Sequence, residues 1–158
     1  MYVLVPIMTP LETYIEHVLK ARPLREIARE LNMHASSIMR RIRKIEDKRD
    51  DSLVDHYLNG WQEEGIMLEQ DVAREATVLG HLCKKGAFVI AVPSMAEAAV
   101  MQNYRGEHVR LSTIASAIIA EWVINGYLSQ FAEGKVNRYE LTEAGKMHAM
   151  HVDAAAGY

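Results

Sequence analysis

Cysteine is nearly absent from this sequence. Its 158 residues hold one, Cys83, which excludes an intramolecular disulfide and a cysteine-based zinc site. Long apolar runs are lacking too, and none could span a bilayer. Residues 1–8 are apolar but have no basic flank, and Thr9-Pro10 interrupts them, so they do not read as a signal peptide. A reducing, cytoplasmic compartment is the expectation. No phosphate-binding glycine loop is present: Gly80 and Gly86 stand alone, and no Gly-Lys-Ser/Thr triplet occurs. There is no nucleophile elbow. His148-x-x-His151, with Asp153 or Glu143, has a spacing that a metal would accept, but near a frayed chain end it reads as a solvated pair. Cys83, on an apolar stretch beside Lys84 and Lys85, reads as a buried structural thiol. These absences argue against an enzyme and leave no cofactor or metal to be expected.

What the chain does have is an uneven distribution of charge. The net value is −3, from 18 Lys+Arg against 21 Asp+Glu. As an average, that is not the mark of a nucleic-acid binder. Along the chain, residues 1–50 sum to +3 and residues 51–158 to −6. Within the first part, residues 20–49 hold ten basic side chains and four acids (Glu26, Glu30, Glu46, Asp47), a net of +6. A local field of that size can recruit phosphate on an acidic molecule.

Helical spacing dominates the first part. Thr9-Pro10-Leu11-Glu12 is a capping box with proline at the first helical position. Leu11, Ile15, Val18 and Leu19 continue the pattern to Ala21, before Pro23. A second short stripe is Leu24, Ile27, Ala28 and Leu31. A third begins near Ala35 with Ile38, Ile42 and Ile45, and is read as continuing through Leu53 and Tyr57 until Asn59-Gly60 and Glu64-Gly65 break it. Two domains follow, 1–64 and 65–158. In the second, residues 66–83 read as an amphipathic helix ended by Lys84-Lys85-Gly86, and 87–92 as a strand. Ser94-x-x-Glu97 reads as a capping box opening a short Ala-rich helix, Arg105-Gly106-Glu107 as a turn, and 109–111 as a short strand. A strong helix over 113–125 stops at Gly126. Residues 127–131 and 137–141 form a hairpin around Glu133-Gly134-Lys135, Thr142 caps a last helix, and 154–158 read as a frayed tail. The expected fold is mainly α with a small β component.

The segment from Leu24 to Ile45 resembles the helix-turn-helix of bacterial transcription factors. Ile27, Ala28 and Leu31 occupy the packing positions of its first helix, Met33 turns inward, and Ile38 and Ile42 line the second. Asn32 stands where glycine is usual, a substitution its tolerance of left-handed backbone permits. At 100° per residue the isoleucines share one arc. Ser36, Arg40 and Arg43 lie opposite, with Ser37, Arg41 and Lys44 on the flank. The start of a recognition helix reaches base edges in the major groove, making Ser36, Ser37, Arg40 and Arg41 the candidates for base readout. Arg25, Arg29, His34, Arg43, Lys44 and Lys48 are better placed for phosphates. The order from Trp122 through the hairpin to Gly145 looks like the end of a winged helix. Lys135 and Arg138 would be its wing cations, although the acidity of this half favours a module for packing or dimerisation.

Residues 24–146 resemble, more specifically, the N-terminal half of the alphaproteobacterial activators of gene transfer agents, the GafA and GafY type. The helix-turn-helix, the stretches 81–92 and 95–101, Trp122-Val-Ile-Asn-Gly and Arg138-Tyr-Glu-Leu-Thr-Glu-Ala-Gly carry the likeness. It implies a helix-turn-helix domain followed by a winged-helix-like α+β domain, and a nucleoid-associated transcription activator that binds double-stranded promoter DNA. It implies, too, that a sigma-like protein equivalent to the family's C-terminal half brings RNA polymerase, since that half is not found here. The other reading the sequence leaves open is a protein-interaction module of the transcription machinery without base readout, as a homodimer or a docking surface. No membrane partner is expected.

Overall fold

The computed structural model describes residues 8–64, 72–132 and 135–155. The chain divides into two compact units, Met1–Gly65 and Ile66–Tyr158, and the architecture is mixed α+β. Residues 1–7, 65–71, 133–134 and 156–158 lie outside the described residues, and with them the expectations for the apolar start, Glu133-Gly134 and the final residues.

The first unit is helical. Helix α1 (Pro10–Tyr14) opens with the capping box: Glu12 N donates to Thr9 Oγ1 and Thr9 N to Glu12 Oε2, both at 3.1 Å. A π-helical turn, Ile15–Leu19, carries it on. Helices α2 (Leu24–Leu31) and α3 (Ala35–Lys48) follow. Between them Asn32 adopts φ 51°, ψ 47°. Its N–H donates to Arg29 O, and Met33 N donates to Ala28 O at 2.9 Å. That bond pair is the Schellman closure, which satisfies the last carbonyls of α2 and turns the chain sharply into α3. Ile27, Leu31, Ile38, Ile42 and Ile45 are all buried, as the helical spacing requires.

Helix α3 ends sooner than the apolar pattern suggests. The Asp51 carboxylate accepts from Leu53 N (2.8 Å) and Val54 N (3.4 Å), so it starts a separate helix, α4 (Ser52–Glu64). Asn59-Gly60 does not break α4. Asn59 Nδ2 donates back to Asp55, Trp61 Nε1 donates to Tyr57 Oη at 2.7 Å, and Leu53, Val54, Tyr57 and Leu58 are buried beneath. Packing has overridden the two weak helix formers.

The second unit begins with α5 (Val72–Leu82) and contains five antiparallel strands: β1 (Ala87–Ala91), β2 (Glu97–Tyr104), β3 (Glu107–Ala115), β4 (Leu128–Ala132) and β5 (Asn137–Leu141). Their order is β3-β2-β1-β5-β4. Helix α6 (Ser116–Ile124) joins β3 to β4, and α7 (Glu143–Ala155) follows β5. Val89, Ala91, Ala98, Val100, Ile114 and Tyr139 are buried on alternate strand positions. Helix α6 buries seven of its nine residues, so it is enclosed on all sides rather than amphipathic.

The expected helix after Ser94 is a strand. Ala98 and Val100 alternate inward, and β2 pairs along its length with β3 and over Ala99–Gln102 with β1. Two-sided ladder pairing outweighs the modest helical preference of alanine. The strand expected at 109–111 runs from 107 to 115 for the same reason. The β component is accordingly a full sheet rather than a minor feature. Cys83, expected to be buried, is exposed just past α5. His148 is not simply solvated: it is half-buried and stacks on Tyr127 at 4.1 Å and 9°.

Two positions test this packing. Asn32→Ala should cost about 1 kcal/mol and Asn32→Gly close to nothing, because only the first places an ordinary Cβ in the left-handed region. At Gly145 a Cβ would run into the Tyr127 carbonyl and the Leu141 side chain. Gly145→Ala should therefore cost about 2 kcal/mol or more. Urea denaturation followed by circular dichroism reads both.

Candidate nucleic-acid interface

Burial of the isoleucines decides which side of α3 remains free. Ser36, Arg40, Arg43 and Lys44 are exposed, while Ser37, Arg41 and Lys48 are half-buried at its margins. Arg41 Nη1 donates to Met8 O at 3.4 Å, which draws it toward the start of α1. Burial, then the nearby Lys44 charge, hold the Lys48 pKa below that of an ordinary lysine. On α2, Arg25 and Arg29 are exposed one turn apart. The helix-start residue His34 is exposed and makes no side-chain capping bond. No acid occupies the first turn of α3, so its N-terminal dipole is not neutralised by the protein's own carboxylates.

Among the described residues, most of the other charges of residues 20–49 are engaged within the protein, with Asp47 the exception. Arg22 gathers three carboxylates: Glu16 at 2.9 Å, Glu26 at 2.9 Å and Glu30 at 2.6 Å. Lys20 also pairs with Glu16, at 2.7 Å. The bonds from Lys20 and Arg22 hold the Glu16 carboxyl below its usual range. Because Glu26 and Glu30 sit one turn apart and both turn to Arg22, the acids of α2 form one stripe and Arg25 and Arg29 another.

A second network closes the far end of α3. Tyr14 is fully buried; its hydroxyl donates to Glu46 Oε1 at 2.5 Å and accepts from Arg49 Nε at 2.9 Å. Arg49 Nη1 goes on to Asp55 Oδ1 (2.9 Å) and Asn59 Oδ1 (3.2 Å). One arginine thereby ties α1, α3 and α4 together, and it consumes Glu46. Of the four acids within residues 20–49, three are engaged by Arg22, Tyr14 and Arg49. Among the described residues, Arg25, Arg29, Arg40, Arg43 and Lys44 form no ion pair. Sequence reasoning counted Arg22 and Arg49 in the basic field, whereas here they are struts. The spacing of Glu26 and Glu30 four and eight residues after Arg22 is the signal that could have shown the first.

The second unit separates its two suggested cations. Lys135 is exposed beside β5. Arg138 lies within β5, paired in register with Ile90, half-buried, and is not on the hairpin connection. Among the described residues, no group of three or more His, Cys, Asp or Glu side chains could hold a metal ion.

No family model, curated protein or solved structure matches this chain.

The Tyr14 network makes a pH prediction. Burial, and next the bond to the Glu46 carboxylate, push the Tyr14 pKa from 10.0 up to about 12. Folding favours the protonated phenol, so its contribution is complete below about pH 10 and is lost as pH rises through about 12. Between about pH 8 and pH 11.5 the wild type should lose on the order of 2 kcal/mol more stability than Tyr14→Phe in urea titrations. Equal losses in the two proteins would contradict the assignment.

Proposed function

We propose that this chain binds double-stranded promoter DNA with sequence preference, laying α3 in the major groove. The observation that carries the reading is the set of five cations, Arg25, Arg29, Arg40, Arg43 and Lys44, that form no ion pair among the described residues, on two helices whose Glu26, Glu30 and Glu46 are turned to Arg22, Tyr14 and Arg49. In this reading α2 and α3 are a helix-turn-helix, with Ser36, Ser37 and Arg40 directed at base edges and Arg41 at the margin of that group. Arginine can bond guanine O6 and N7 together, while serine discriminates less. Arg25, Arg29, Arg43 and Lys44, with the α3 N-terminus at His34, meet phosphates and set register on the duplex. Lys48 contributes less, because its ammonium is partly withdrawn from solvent.

The order α6, β4, β5, α7 supports a winged-helix-like second unit. Its acidity favours protein contacts over a duplex-DNA surface. On the resemblance to gene transfer agent activators, its partner is a sigma-like protein that brings RNA polymerase. The short base-reading surface makes that partnership useful: one unit with few phosphate contacts holds DNA weakly without sequence help.

Chromatin profiling of the tagged protein supplies a cognate site, on which a mobility-shift titration tests the surface. Arg40→Ala should cost about 1–3 kcal/mol on the cognate site and flatten the preference over a scrambled one. Arg43→Ala should weaken both sites alike. If the double variant binds as tightly as the wild type, the α3 face is a protein-docking surface and the DNA reading fails.

A further inference from the structure

The strand positions that alternate with Val89, Ala91 and Tyr139 in the second unit carry a different chemistry, Phe88 among them although it too is buried. Phe88 of β1, His108 of β3, Phe131 of β4, and Arg138 and Glu140 of β5 line a concavity of about 340 Å³. The Phe88 ring meets His108 at 5.4 Å and Phe131 at 6.0 Å, edge to face in both cases. Phe131 is 49% exposed, so much of its ring is free. The Nε of Arg138 is shut away from solvent and has no hydrogen-bond partner among the described residues. Glu140 lies two residues along the same strand, hence on the same face, and is exposed. Gly86, at φ +78°, closes one wall, where an added Cβ would stand 3.0 Å from Asn103 O.

Each of these features asks for a particular ligand group. The exposed aromatic ring offers a stacking surface to a flat, largely apolar molecule. Arg138 lines the concavity, and a guanidinium carries N–H donors and no acceptor, so a bound molecule would have to bring the acceptor. The Glu140 carboxylate accepts N–H groups and offers no donor. Lys84 and Lys85 directly precede Gly86, and Arg105 follows Asn103 by two residues; all three are exposed on an otherwise acidic unit. They are the cations close in sequence to the lining residues Gly86 and Asn103, and a phosphate would draw on them.

We propose that this concavity is a site for an unpaired guanine nucleotide. Guanine O6 and N7 accept from Arg138, its N1–H and N2 amino group donate to Glu140, and its ring lies against Phe131. The phosphate rests at Lys84, Lys85 and Arg105. Adenine puts an amino donor where guanine has the O6 acceptor, which sets it against the Arg138 guanidinium. A face of an antiparallel sheet bearing aromatic rings is a surface on which unstacked bases are held. The same chemistry could come from a free mononucleotide or from a guanine in a single strand.

Isothermal titration calorimetry of the full chain tests this with guanosine 5′-monophosphate, adenosine 5′-monophosphate, inorganic phosphate and a short oligothymidylate with one central guanine. Saturable binding of the guanine probes, with adenosine monophosphate and phosphate at least tenfold weaker, is the expected result, on the scale of one lost base contact. Tighter binding of the oligonucleotide than of the mononucleotide identifies a strand as the source, and equal binding the free nucleotide. Phe131→Ala should weaken binding about tenfold, and Arg138→Gln should bring guanine and adenine close to parity. Should Arg138→Gln fail to fold by circular dichroism, Glu140→Gln at an exposed position reads the same preference. The Arg40→Ala/Arg43→Ala double variant should bind the mononucleotide normally, which separates this site from the α3 surface. Absence of saturable binding, equal affinity for the two mononucleotides, or no effect of Phe131→Ala overturns the proposal.

Discussion

The isoleucine stripe of α3 is the constraint on which the functional surface depends. Ile38, Ile42 and Ile45 are at most 5% exposed, and burying each side chain contributes roughly 1.5–3 kcal/mol. Rotating α3 by even one residue would expose that stripe and turn Arg41 or Arg43 into the core, at a cost no surface contact could offset. The exposed cationic face is therefore a consequence of core packing. The Schellman turn at Asn32 fixes one end of the helix and the Tyr14–Glu46–Arg49 network the other.

Electrostatics then refine what packing has imposed. A net charge of −3 hides a +6 segment, and even that segment is not uniform. Arg22 and Arg49 draw Glu26, Glu30 and Glu46 away from the α2–α3 surface, so five cations remain without internal partners among the described residues. Surface ion pairs contribute little to stability, about 0–1 kcal/mol each. Here their larger effect is on where the field is unopposed. The second unit applies a similar separation on a smaller scale, with Lys84, Lys85 and Arg105 gathered at one end of an acidic body.

Local signals carried the first unit well. The Thr9 capping box, the Leu24–Leu31 stripe, the left-handed tolerance of Asn32 and the spacing of Ile38, Ile42 and Ile45 all act within a few residues, and the structure uses each as read. Features decided by distant partners were not legible. Ala98 and Val100 look helical in isolation, and only pairing with β1 and β3 makes them a strand. Arg49 looks like one more basic residue until Tyr14, 35 positions earlier, is placed against it. Asp51 ends the α3 pattern through its own side chain, which apolar periodicity does not register. Arg138 was legible as a strand residue after the hairpin, but its enclosure beside Phe88, His108 and Phe131 depends on three other strands.

The central claim is that the unpaired cations of α2 and α3 meet DNA phosphates. The salt dependence of cognate-site affinity tests it most directly, since each neutralised phosphate releases counterions in a countable way. Fluorescence anisotropy across a range of potassium chloride concentrations should give a slope of about −4 on double-logarithmic axes, from four to five contacts. Removing Arg25 and Arg29 together should reduce its magnitude by about 2. A slope flatter than about −1, or one unchanged in that double variant, would contradict the account.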